Sequence, residues 1–121
     1  MNKIYLSFFV LTLLVTSSCS QDTGVFALAE SEPIETSGDA ADDPALIINF
    51  KNPRSSLFFG TDKTAGVYLY DLKGVKQSFS PLGAINNIDV RQKNLEIYLA
   101  ATNRSNQSLE YWVIDQDTFF A

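Results

Sequence analysis

Two stretches of the chain repeat one plan. Leu57-Phe-Phe-Gly-Thr-Asp-Lys-Thr-Ala-Gly-Val-Tyr-Leu-Tyr-Asp71 reads as an apolar strand, a tight polar turn and a second strand. Ile97-Tyr-Leu-Ala-Ala-Thr-Asn-Arg-Ser-Asn-Gln-Ser-Leu-Glu-Tyr-Trp-Val-Ile-Asp115 does the same roughly 40 residues later. Thr61-Asp62-Lys63 aligns with Thr102-Asn103-Arg104, and Tyr70-Asp71 closes the first copy as Ile114-Asp115 closes the second. Each copy therefore puts one cation just past the end of an apolar strand. A chain built this way is confined to architectures made by copying one antiparallel β-unit.

The first unit is complete. Leu46 to Phe50 is a short apolar run, Asn52-Pro53-Arg54-Ser55-Ser56 is turn chemistry, and Leu57 to Gly60 is a second run of strand formers. Thr64-Ala65-Gly66 reverses the chain, Val67 to Tyr70 alternates, and Leu72 to Val75 turns it again before Lys76 to Phe79. Four short antiparallel strands in sequence are the content of one propeller blade. The second unit shows three strands, Asn86 to Arg91, Leu95 to Ala101 and Ser108 to Asp115, with Asp117 to Phe120 as a shortened fourth. About two blades are expected, too few to close a ring, so the chain reads as a piece of a longer protein or the product of a truncated gene. Bare outer faces would expose Phe58, Phe59, Tyr68, Trp112, Phe119 and Phe120.

The start of the chain is of another kind. Met1-Asn2-Lys3 is a short positive start, Ile4 to Val15 is an apolar run too short to cross a bilayer comfortably, and Thr16-Ser17-Ser18-Cys19 follows. This resembles a bacterial lipoprotein signal, in which cleavage precedes the cysteine and the cysteine carries lipid. Residues 1–18 are thus expected as a leader and Cys19 as the lipidation site. An ordinary secretory leader with an incidental cysteine is the alternative. Residues 19–40 hold few large apolar groups and read as a disordered tether between a membrane and a β domain over 41–121. The chain is expected in the cell envelope on the periplasmic or extracellular side, and Ser20 after the cysteine favours an outer membrane if the cell has one.

Composition removes several kinds of chemistry. The chain has no histidine and one cysteine, so it cannot form an internal disulfide, a Ser-His-Asp triad or a site of the usual zinc ligands. Catalysis would rest on carboxylates, Lys, Arg, Tyr and a hard cation such as calcium or magnesium. The formal charge is -5, with Asp22, Glu30, Glu32, Glu35, Asp39, Asp42 and Asp43 in one stretch free of Lys and Arg, which argues against nucleic acid as a partner.

Four motifs in order carry a resemblance: Asp42-Asp43-Pro44-Ala45, the Leu57 to Leu72 segment, Ile85-Asn86-Asn87-Ile88-Asp89-Val90-Arg91, and Ala101-Thr102-Asn103-Arg104-Ser105. Together they resemble the N-terminal part of the β-propeller phytases, calcium-dependent phosphatases that remove phosphates from phytate. The resemblance covers everything after the tether. It implies an all-β fold of antiparallel four-stranded blades, here about two of six. It implies calcium held by the Asp43 carboxylate and the backbone carbonyls of Pro44 and Ile88. Lys63 and Arg104 resemble the phosphate-gripping cations, whereas Asp42 and Asp89 receive no ligand role.

That chemistry is consistent with the residues themselves. A phosphate monoester repels an attacking water, and a hard cation neutralises its oxygens without any histidine. Arg offers a planar fork and Lys a point charge for two contacts around one substrate. Taken singly, a Lys or Arg in a turn, or an Asp before Pro, is ordinarily a solvated loop residue. With four blades missing, the piece is expected neither to close nor to catalyse. A different class of reading is a small non-enzymatic β-rich lipoprotein that uses Tyr- and Phe-rich faces as a surface interaction module.

Overall fold

A computed structural model describes residues 24–121. The leader and Cys19 lie outside the described residues. The architecture is all-β: strands β1 (Ala41–Ile47), β2 (Leu57–Asp62), β3 (Gly66–Asp71) and β4 (Lys76–Ser80) form one sheet in chain order. Strands β5 (Ile85–Lys93), β6 (Glu96–Asn103) and β7 (Ser108–Asp115) form a second, and every pairing is antiparallel. These are the two repeated units, one of four strands and one of three.

Turn chemistry sets the reversals. Asp62 accepts hydrogen bonds from the backbone N–H groups of Thr64 and Ala65, so its side chain closes the β2–β3 loop. Gly66 follows because a Cβ there would collide with the Ser80 carbonyl on β4. Asp71 closes the next loop in the same manner, accepting from Lys73 and Val75.

The two sheets face each other through β1 and β2 on one side and β5 on the other. Ala45, Ile47 and Val67 meet Ile88, Ile97, Leu99 and Ala101, with Phe59, Trp112 and Ile114 at the margin. Alternation along each strand delivers these side chains to one face, and their removal from water holds the sheets together.

Two details of the strands depart from the sequence expectation. The first strand runs over Ala41–Ile47 rather than Leu46 to Phe50. Asn49 explains the early end: its side-chain oxygen accepts from Lys51 and Asn52, its N–H donates to Ser56, and the chain turns around it. Pro44 is tolerated in the strand because β1 lies at the sheet edge beside an irregularity in pairing. The shortened fourth strand is instead a helical turn, α1 (Gln116–Phe119), capped by Asp115, which accepts from the Thr118 N–H. That turn carries Phe119 to within 6.3 Å of Phe59, ring to ring, and Phe120 stacks edge-on against Phe119.

The aromatic residues expected at bare faces are therefore largely covered. Tyr68 is buried, and Phe58, Phe59, Trp112, Phe119 and Phe120 are half-buried. The exposed apolar side chains are others, among them Leu109, Tyr111 and Val113 on one face of β7.

The far face of the first sheet is an aromatic row. Phe58 stacks on Tyr70, Tyr68 lies against Phe79, and the Lys76 ammonium sits 5.0 Å from the Tyr68 ring. Residues 32–40, expected as tether, lie along this row as a strap. The Glu32 N–H donates to Gly74, Glu35 pairs with Lys76 at 2.9 Å, and the Glu35 N–H donates to the Tyr68 hydroxyl. Thr36 donates to Asp62, and Ala40, nearly inaccessible to solvent, accepts from the Lys63 N–H. Residues 24–31 are exposed and free of regular structure, although they carry Val25, Phe26 and Leu28.

Candidate functional site

The site grows from one irregularity made twice. In β1, Ala41 pairs with Asp62 and Pro44 with Gly60, so Asp42 and Asp43 oppose Thr61 alone. In β5, Ile85 pairs with Asn103 and Ile88 with Ala101, so Asn86 and Asn87 oppose Thr102 alone. Both are bulges, which bend the strand and re-aim its side chains. In each, the threonine Oγ1 accepts the N–H of the second bulged residue, Asp43 at 2.8 Å and Asn87 at 3.1 Å.

The frame continues into the cations. The Lys63 N–H reaches the Ala40 carbonyl at 2.9 Å, and the Arg104 N–H reaches the Ala84 carbonyl at 2.8 Å. Lys63 and Arg104 thus occupy equivalent positions of the two units, one residue past β2 and β6.

The units meet at the bulges. Thr61 donates its hydroxyl proton to the Asn86 carbonyl at 2.8 Å, and the Asp43 carboxylate accepts the Ile88 N–H at 3.0 Å. Asp43, Pro44 and Ile88 consequently line one groove of about 440 Å³, shared with Asn87, Asp89 and Thr102. Asp43 has no cationic partner among the described residues. Its carboxylate and the nearby carbonyl-bearing backbone are hard oxygen donors, the type calcium takes. They are too few for a full shell, and among the described residues no three acidic side chains gather as a cage. The other two carboxylates of these motifs are engaged elsewhere, Asp42 with Lys63 at 3.5 Å and Asp89 with Arg91 at 2.5 Å.

The two equivalent cations have different surroundings. Lys63 Nζ lies 3.0 Å from Asp39 and 3.5 Å from Asp42. The hydrogen bond to Asp39 outweighs partial desolvation and raises the Lys63 pKa above its ordinary value. Arg104 is exposed and makes no ion pair among the described residues.

Sequence reasoning named Asp43, Pro44, Ile88, Lys63 and Arg104, and the first three come together in one groove. It passed over Thr61, which joins the bulge of one unit to that of the next. The signal was present, since both repeats carry Thr-Asx-cation at the end of their first strand. It also passed over Asp39, because a lone Asp in a polar stretch carries no pattern that says where it docks.

A family model described as Phytase matches residues 4–119. A 3-phytase of Bacillus subtilis (strain 168) is 36% identical over 101 residues, a stretch covering 77% of this chain and 26% of that protein. The chain spans about a quarter of the length of that relative.

Proposed function

The chain belongs to the phytase family, and from that premise we propose that it supplies part of the substrate-binding end of a phosphomonoester hydrolase that releases phosphate from phytate with calcium. The observation that carries this reading is the meeting of Asp43 with the Ile88 N–H across two units.

The Asp43 carboxylate and the carbonyls of Pro44 and Ile88 are the groups that would hold the cation. When bound, calcium supplies positive charge against phosphate oxygens and lowers the pKa of a coordinated water. The residues of this chain bind and orient. Arg104 offers two parallel N–H donors to one phosphate, and Lys63 offers a single charge to another or to the same group. Backbone hydrogen bonds to Ala40 and Ala84 place the Lys63 and Arg104 main chains equivalently in the two units. By itself the chain is expected to bind polyanion rather than to turn it over, since water activation needs carboxylates beyond those it brings to the groove. We place it in the cell envelope, lipid-anchored through Cys19.

Calorimetric titration of the chain with calcium and then phytate tests the reading. Calcium-promoted phytate binding that weakens about tenfold or more with Arg104→Ala is the expected result. Binding indifferent to calcium, to Lys63→Ala and to Arg104→Ala would sink it.

A further inference from the structure

Lys63 and Arg104 stand in one frame but face different charges. Counting back from the bulges, Asp39 and Asp42 in the first unit correspond to Gly83 and Asn86 in the second. The first unit therefore sets two carboxylates beside its cation, and the second sets none. The two carboxylates are held differently. Asp42 belongs to the bulge, and its side chain is 28% exposed. Asp39 stands outside the sheet, its side chain 92% exposed, whereas the Lys63 side chain is 17% exposed. What places Asp39 is its neighbour Ala40, buried and bonded to the Lys63 N–H, together with the strap over Tyr68. The Asp39 carboxylate itself is held at 3.0 Å by Lys63 alone among the described residues. Carboxylate oxygens beside an ammonium accept the same kind of charge-assisted hydrogen bond that phosphate oxygens accept, and phosphate carries more charge. A solvent-exposed pair of this kind is weak, so a stronger anion can replace it.

We propose that Asp39 is a built-in counter-anion that occupies the Lys63 side of the anion site, so that a phosphate group enters at Arg104 and reaches Lys63 only by displacing Asp39. The proposal rests on the reading of Lys63 and Arg104 as phosphate contacts. It makes the two cations unequal: Arg104 captures, and Lys63 engages after an exchange of partners. It also gives the strap a task, because the segment that lies on Tyr68 delivers the competing carboxylate.

The test is a titration of the purified chain with inorganic phosphate in calcium-free buffer, followed through the Lys63 ammonium and Arg104 guanidinium resonances. Asp39→Asn is expected to tighten binding about two- to fivefold, an effect that shrinks as salt is raised. The gain should vanish when Lys63→Ala is added, because no ammonium is then left to release. Since Asp39 is exposed, Asp39→Asn should leave the unfolding midpoint unchanged. Unaltered affinity in Asp39→Asn, with binding still weakened by Lys63→Ala, overturns the counter-anion and leaves the anion site standing. A gain that persists without Lys63 overturns it too, as a general charge effect. Phosphate binding indifferent to both Lys63→Ala and Arg104→Ala overturns the anion site and the proposal with it.

Discussion

Thr61 holds the Asn86 carbonyl at 2.8 Å across the boundary between the two sheets. The same oxygen accepts the Asp43 N–H, and the residue is almost wholly buried, so one hydroxyl serves two backbone groups from different units. Thr61→Val keeps the shape and removes both bonds. The variant is expected to lose about 1–3 kcal/mol of stability in urea unfolding, the cost of stranding a buried donor and acceptor. Thr102→Val, at the equivalent but exposed position, should stay within about 0.5 kcal/mol of the parent.

Asp43 has two tasks that one substitution separates. Asp43→Asn can still accept the Ile88 N–H, but it gives up the charge. Calcium affinity should fall at least about tenfold by calorimetry, with the unfolding midpoint little changed. Equal losses of affinity and stability would mean that the carboxylate serves only the junction.

The strap depends on a glycine. Gly74 has φ of +83°, and a Cβ on it would collide with the Glu30 carbonyl oxygen. Gly74→Ala is expected to cost at least about 1 kcal/mol from the backbone conformation alone. Amide exchange should separate this from general loosening: the Glu32 and Glu35 N–H groups speed up while those of β6 do not.

Acid should loosen the first unit through Asp62. Burial pushes the carboxyl pKa up, but hydrogen bonds from Thr36, Thr64 and Ala65 outweigh burial and hold it below the ordinary aspartate value. A depressed folded pKa means that the stabilisation is full above the unfolded value of about 3.9 and is lost as pH falls through the folded one. Thermal midpoints should drop on acidification below about pH 4, and Asp62→Asn should flatten that limb.

Much of this was legible in the sequence, and what was not has identifiable causes. The repeat Thr61-Asp62-Lys63 and Thr102-Asn103-Arg104 placed two units in register because turn and strand chemistry are local. The end of β1 was misplaced because Ile48 and Phe50 extend the apolar run, while Asn49 takes over the backbone bonds that a strand would need. Phe119 and Phe120 read as strand formers, yet Asp115 and Thr118 carry a capping pattern that wins over four residues. The strap was invisible for a different reason. Its partners, Gly74, Tyr68 and Lys76, lie more than thirty residues away and are met by single polar groups, which leave no periodic trace.

The bulge junction also gives the molecule a direction. Asp43 and Thr61 reach forward to Ile88 and Asn86 at the bulge, and the Gln92 side chain reaches back to the backbone of Ile48 at the far end of β1. Asn87 and Thr102 repeat the forward-reaching half, with Leu109, Tyr111 and Val113 uncovered beside them. The two sides of a unit thus carry different groups, a bulge carboxylate and threonine on one and a strand glutamine on the other, so neighbouring units meet head to tail.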